Sequence, residues 1–118
     1  MIRIKRIAKS FLYAIRGLIK TFQEEQNFKI QSMVAVIILA LGFYFEITRI
    51  EWIFLVLVIG LVLLMEVLNS AVERIVDILK PRIDTYVKEI KDIMAAAVML
   101  SAIIAVVIGL LIFIPYFY

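Results

Sequence analysis

The sequence contains no cysteine and no histidine among its 118 residues. Without cysteine the chain can form no disulfide bond and offers no thiolate nucleophile. Without histidine it lacks the commonest general base and the usual ligand of zinc and haem. Any base or metal ligand must therefore be an oxygen donor such as Asp, Glu or Asn, and oxygen ligands favour a hard ion such as Mg²⁺.

Glycine is also rare, and its spacing excludes the familiar nucleotide-binding loops. The glycines are Gly17, Gly42, Gly60 and Gly109. Neither a Walker A loop nor the glycine-rich loop of protein kinases can be built from positions so far apart. Any ATP site in this chain must be constructed in another way.

Charged residues make up only 19% of the chain, whereas hydrophobic residues make up 65%. A soluble domain is usually about half apolar. The composition therefore predicts an integral membrane protein, and the length allows a single domain. No feature indicates nucleic acid as a partner.

Three long apolar runs predict three membrane helices. The predicted spans are residues 28–47, 51–72 and 93–116. In the second span the uncharged part, Trp52–Met65, would cover only about 21 Å of a hydrocarbon core of about 30 Å. The helix must therefore continue through Glu66, which lies within the membrane on this interpretation, and extend into the cytoplasm to about residue 80. The alternative is that the helix ends at Met65 and that Glu66 is already in water.

The segment before the first span, residues 1–24, predicts a basic amphipathic helix. Apolar residues recur at helical spacing on one side, and basic residues lie on the other. This pattern is typical of a helix that lies in the membrane surface, although a helix packed on the rest of the protein fits equally well. The apolar residues are Ile4, Ile7, Phe11, Ile15, Leu18 and Phe22, and the basic residues are Lys5, Lys9, Arg16 and Lys20.

The distribution of basic residues predicts the orientation in the membrane. Seven of them precede the uncharged part of the first span, one lies in the 46–51 loop and five lie in the 74–92 connection. The positive-inside rule places the N-terminus and the long connection in the cytoplasm and the C-terminus outside. We expect a multi-pass protein of the plasma membrane.

An acidic stripe marks the cytoplasmic end of the second span. Glu66, Asn69, Glu73 and Asp77 recur every three or four residues and therefore share one face of a helix. Ionisable residues inside a membrane are costly and usually functional. Glu25 is expected at a depth similar to that of Glu73, so the two could share a divalent ion with phosphate oxygens and water. Glu66, about 10 Å deeper and less solvated, suits a general base acting near neutral pH.

Further polar residues are expected in the same layer. Asn69 could orient either the base or a phosphate oxygen, and Lys91 could neutralise a polyphosphate. Together these are the parts of a site that transfers a phosphoryl group to a lipid hydroxyl. On spacing alone other classes stay open, because acidic stripes also serve proton relays and cation pathways. A small multidrug exporter usually has four hydrophobic segments, and a holin would not explain why the acids cluster at one depth.

The twelve residues Glu66–Asp77, EVLNSAVERIVD, resemble the signature of the small prokaryotic lipid kinases, which include the diacylglycerol kinases and the undecaprenol kinases. The resemblance covers almost the whole chain. It continues at Arg16–Leu18, Glu25–Lys29, Lys91–Asp92 and Ala95–Val98.

The resemblance implies an all-α membrane protein, a homotrimer with an N-terminal surface helix and three transmembrane helices in each subunit. It implies ATP with Mg²⁺ as the donor and a membrane lipid alcohol as the acceptor. The segment Asn27-Phe28 and Pro81 favour undecaprenol, with diacylglycerol as the alternative. By the same resemblance, the general base is Glu66, the metal ligands are Glu25 and Glu73, and the nucleotide- or substrate-binding residues are Asn69, Lys91, Asp92, Tyr13 and Arg16.

The sequence departs from that family in the connection between the second and third spans. Many relatives have a histidine there, whereas this chain offers Tyr86. Many also have alanine before the Lys-Asp pair, where this chain has Ile90. These differences leave the contacts to adenine open.

Overall fold

The computed structural model describes residues 1–79 and 84–118, and the regular structure within these ranges is entirely helical. The helices are α1 (Ile4–Glu24), α2 (Gln26–Tyr44), α3 (Arg49–Leu79) and α4 (Asp84–Phe113), followed by a 3₁₀ turn over Ile114–Phe117. The predicted all-α class is confirmed. Some predictions depend on residues outside the described ranges. The predicted orientation partly depends on Lys80 and Arg82, and the predicted acceptor preference partly depends on Pro81.

Within the part of the chain that the structure describes, three helices are long and apolar enough to cross a membrane. They are Gln26–Tyr44, Arg49–Leu79 and Thr85–Phe117. Most large apolar side chains on these helices are exposed in the single chain, as expected where lipid or another subunit replaces water. The chain is therefore a multi-pass membrane protein.

Helix α3 is continuous from Arg49 to Leu79 and so does not end at Met65. At 1.5 Å per residue its 31 residues extend over about 46 Å, which exceeds a hydrocarbon core of about 30 Å. One end of this helix must therefore project beyond the bilayer. Helix α3 packs along α4, and it also contacts α1 and α2.

A single extended residue, Glu25, separates α1 from α2. Its φ of −102° and ψ of 110° interrupt the helical backbone. The Glu25 N–H still donates to the Thr21 carbonyl at 2.8 Å, and the Glu25 carbonyl accepts from the Lys29 N–H at 3.2 Å. The junction therefore caps both helices and places the Glu25 side chain at the point where α1 and α2 meet.

Helix α2 ends earlier than the predicted span, because the chain turns sharply after Tyr44. The Ile47 N–H donates to the Gly42 carbonyl and the Glu46 N–H donates to the Phe43 carbonyl, which is the bonding pattern of a Schellman motif. Glu46 has a positive φ of 51° at the position where such motifs usually have glycine. The turn is thus closed by hydrogen bonds at the cost of a strained residue.

The next residues start α3 with a capping box. The Thr48 N–H donates to Glu51 Oε1 at 2.9 Å, and the Glu51 N–H donates to Thr48 Oγ1 at 3.2 Å. Apolar side chains pack beside this turn in the main buried cluster, which contains Ile47, Leu55, Ile112 and Phe113. The structural core therefore lies at the end of α3 that is opposite to the acidic stripe.

Candidate active site where the α1–α2 junction meets α3

The junction between α1 and α2 is joined to α3 by a hydrogen bond between side chains. Ser70 Oγ donates to Glu25 Oε1 at 3.1 Å, across 45 positions of the sequence. Ser70 lies one helical turn beyond Glu66 and is 2% exposed. This contact brings Glu25 to the acidic stripe of α3.

Glu66 is buried in the interior of the chain, with an exposed fraction of 5%. The carboxylates of Glu25 and Glu73 are close enough to interact with it electrostatically. Three acidic groups from two parts of the chain therefore meet in one region. The like charges of these groups repel one another, which favours the binding of a cation there.

Asn69 is oriented towards Glu73. Its Nδ2 donates to Glu73 Oε1 at 3.4 Å, as residues four positions apart on a helix can do. Both side chains are half-buried. In the structure the Asn69 amide therefore contacts a carboxylate that was predicted to bind metal.

Arg74 also belongs to this site, although the sequence patterns did not indicate it. The guanidinium Nη2 lies 2.7 Å from Glu24 Oε2, and Nη1 lies 3.7 Å from Glu25 Oε1. Nη1 also donates to Ser70 Oγ in a short hydrogen bond and to the Ser70 carbonyl at 3.3 Å. Two signals could have identified this cation: its spacing of four from Ser70 and the adjacent acids at positions 24 and 25.

Lys91 enters the site from α4. Its Nζ lies 2.7 Å from Asp77 Oδ1, and its charge also interacts with Glu73. The ion pair joins the ends of α3 and α4, and it places an ammonium group beside the acidic stripe. Asp92, the next residue, is exposed.

Tyr13 and Arg16 lie on the exposed surface of α1. The Arg16 guanidinium carbon is 5.8 Å from the centre of the Tyr13 ring, which is within the range of a cation–π interaction. Arg16 precedes Glu25 by nine residues, or about 14 Å along a helix. The structure thus brings Tyr13 and Arg16 together on α1.

The donor atoms at this site fit Mg²⁺. Glu25, Glu73 and Asn69 offer only oxygen ligands of the kind that this ion prefers. Within residues 1–79 and 84–118, no three acidic side chains are close enough to hold an ion by themselves. Two carboxylates supplemented by phosphate oxygens and water are, however, a common arrangement for Mg²⁺ bound with a nucleotide.

Comparison with known proteins identifies similar chains. The family model for prokaryotic diacylglycerol kinase matches residues 12–113. The chain is 39% identical to an undecaprenol kinase of Bacillus subtilis over 95% of this chain and 91% of that protein. It is 34% identical to a diacylglycerol kinase of Synechocystis over 85% of this chain and 58% of that protein. It is 28% identical to the diacylglycerol kinase of Escherichia coli over 86% of this chain and 84% of that protein.

Proposed function

Because the chain belongs to the prokaryotic diacylglycerol kinase family, we propose that it transfers the γ-phosphate of ATP to the hydroxyl of undecaprenol in the membrane. That the chain is a lipid kinase follows from the family and its relatives, and the exporter and holin alternatives are thereby excluded. The proposal adds the acceptor, the metal ion and the roles of individual residues.

The main support for these residue assignments is the hydrogen bond between Ser70 and Glu25. It joins an acid of the α1–α2 junction to the face of α3 that bears Glu66 and Glu73. Phosphoryl transfer depends on positioned charges rather than on covalent chemistry by the protein. A site that gathers acids at one end of a membrane helix meets this requirement.

Glu25 and Glu73 are proposed to hold Mg²⁺ together with the phosphates of ATP. When bound, the ion would neutralise charge on the transferred phosphoryl group. Asn69 keeps Glu73 in place through the hydrogen bond from its amide. Lys91 and Asp92 are proposed to bind the nucleotide, with Tyr13 and Arg16 contributing from α1.

Glu66 is proposed to act as the general base. Its burial keeps the carboxylate away from bulk water, and it precedes Glu73 by seven residues, or about 10 Å along α3. The lipid hydroxyl would give its proton to a Glu66 carboxylate oxygen while the hydroxyl oxygen attacks the γ-phosphorus. The γ-phosphate bond to ADP breaks in the same displacement.

The membrane arrangement is also part of the proposal. We place α1, within residues 1–24, in the membrane surface, and the N-terminus and the active site on the cytoplasmic face of the plasma membrane. Residues 28–47, 51–72 and 93–116 would cross the bilayer, with the C-terminus outside. A homotrimer is proposed because three helices enclose little of a site by themselves, and many apolar side chains of the single chain remain exposed.

Undecaprenol is preferred over diacylglycerol because the similarity to the Bacillus subtilis undecaprenol kinase combines the higher identity with nearly complete coverage. The test is a phosphorylation assay with ATP and Mg²⁺, in which undecaprenol and diacylglycerol are offered side by side in micelles. A higher kcat/KM for undecaprenol is expected. Faster phosphorylation of diacylglycerol would assign the alternative acceptor and leave the kinase chemistry unchanged.

A further inference from the structure

A relay of two side chains ends on the Glu25 carboxylate. Arg74 donates through Nη1 to Ser70 Oγ, and the Ser70 hydroxyl donates to Glu25 Oε1 at 3.1 Å. The other arm of the guanidinium, Nη2, lies 2.7 Å from Glu24 Oε2. The orientation of Glu25 is therefore linked to two residues of α3 for which no role in the reaction has yet been assigned.

Burial and backbone conformation make this relay more than a surface contact. Ser70 is 2% exposed, and a hydroxyl at such a site must form hydrogen bonds to offset its lost hydration. Ser70 does so both as an acceptor from Arg74 and as a donor to Glu25. Glu25 itself lies outside both neighbouring helices, so helical packing does not fix the direction of its side chain. The Ser70 hydroxyl supplies that constraint.

The relay engages only one oxygen of the Glu25 carboxylate. Ser70 donates its hydrogen bond to Oε1, and Arg74 Nη1 lies 3.7 Å from the same oxygen. Oε2 receives no hydrogen bond from the part of the chain that the structure describes. A carboxylate held by one oxygen can present the other to a metal ion, and Mg²⁺ tolerates little deviation from its ideal geometry.

We propose that Ser70 and Arg74 are positioning residues that orient Glu25 for a divalent ion. This inference rests on the proposed function, which makes Glu25 a metal ligand. Residues that orient a ligand through a hydrogen bond typically change metal affinity by about 10- to 100-fold when they are replaced. Ser70 gives the cleaner test because its replacement by alanine alters no charge, whereas the Arg74 cation also repels the ion.

The test measures ion binding directly rather than activity. The full-length protein in detergent micelles, with a non-hydrolysable ATP analogue, is titrated with Mn²⁺ as a substitute for Mg²⁺, and free Mn²⁺ is followed by electron paramagnetic resonance. We expect Ser70→Ala to weaken Mn²⁺ binding about tenfold. Arg74→Lys keeps the charge but loses the guanidinium nitrogen that donates to Ser70 Oγ, so this variant should also weaken Mn²⁺ binding.

Two control variants separate the relay from general effects. Ser101 is also buried, but its hydroxyl donates to the Val98 carbonyl of its own helix at 2.7 Å. Ser101→Ala should therefore leave Mn²⁺ affinity unchanged. Glu24→Gln removes an exposed ion pair, which is worth little, and should alter the affinity less than twofold. A thermal melt of each variant verifies that the fold is retained.

Glu25→Gln distinguishes failure of this inference from failure of the metal assignment. If Glu25→Gln weakens Mn²⁺ binding while Ser70→Ala and Arg74→Lys bind it as the wild type does, the relay has no positioning role and the metal site stands. If Glu25→Gln also binds normally, Glu25 is not a ligand and both proposals fail. The double variant Glu25→Gln/Ser70→Ala should match Glu25→Gln alone, and any further loss would contradict action through Glu25.

Discussion

The Tyr116 hydroxyl donates a hydrogen bond to the carboxylate of Glu51, 65 positions earlier in the sequence. The same Glu51 oxygen accepts the Thr48 N–H in the capping box at the start of α3. The C-terminal turn is thereby tied to the loop between α2 and α3. Glu51 and Glu66 are separated by fifteen residues, or about 22 Å of helix, so this contact and the candidate active site lie far apart.

Replacement of Tyr116 by phenylalanine should therefore lower stability without impairing catalysis. Phe keeps the ring beside Phe45 but removes the hydrogen bond that the Tyr116 hydroxyl donates to the charged Glu51 carboxylate. The measurement is a thermal melt in detergent together with steady-state kinetics. A lower melting temperature with unchanged kcat is expected. A large fall in kcat with an intact fold would mean that the two ends of the bundle are coupled.

Replacement of Glu46 by glycine should raise stability. Glu46 has a φ of 51°, and glycine avoids the steric cost of that conformation, which is about 1–2 kcal/mol for other residues. Glu46→Ala is the matched control, because it removes the same charge but keeps the Cβ atom. Only the glycine variant should melt at a higher temperature. Equal stabilisation by both variants would attribute the effect to charge rather than to backbone strain.

Replacement of Glu66 by glutamine should nearly abolish turnover while nucleotide binding and the fold are retained. Glutamine preserves the size of the side chain but cannot accept a proton, and the loss of a positioned base typically costs about 10²–10⁴ in rate. Stability should hold or rise, because the change removes a buried charge. Steady-state kinetics and a thermal melt are measured on the same sample. Near-normal turnover would remove Glu66 as the base.

Glu25→Gln and Glu73→Gln should each raise the Mg²⁺ concentration needed for half-maximal activity. Each variant removes one of the two carboxylates proposed to hold the ion, and glutamine retains only a neutral oxygen donor. Activity of the wild-type protein should be lost when EDTA removes divalent ions. The measurement is a titration of the kinase rate with Mg²⁺ at fixed ATP. Wild-type Mg²⁺ dependence in both variants would assign these residues a structural role.

Much of the helical organisation follows from the sequence because helices form from local patterns. The uncharged run Trp52–Met65 is too short to span a bilayer, and this length argument correctly predicts that the helix continues past Glu66. The three- and four-residue spacing of Glu66, Asn69 and Glu73 likewise fixes their common helix face before any tertiary contact is known. The motif that contains them also indicates the family.

The end of α2 shows where local patterns fail. The predicted first span ran to residue 47, but the helix ends at Tyr44. The Schellman turn has Glu46 rather than glycine at its left-handed position, so the usual sequence signal for the end of a helix is missing. The hydrogen bonds of the turn, and the packing of Ile47 in the buried cluster, stabilise a conformation that this residue alone disfavours.

The contacts that complete the candidate site were decided only by the tertiary structure. Arg74 reaches Glu24 across 50 positions of the sequence, and Ser70 reaches Glu25 across 45. A helical pattern specifies which residues share a face, but it does not specify which face of another helix that face meets. This depends on how the helices pack and rotate against each other, and on the single extended residue that turns the chain between α1 and α2. The sequence alone therefore identified the acids on one face of α3, whereas packing determined that Ser70 and Arg74 contact Glu25.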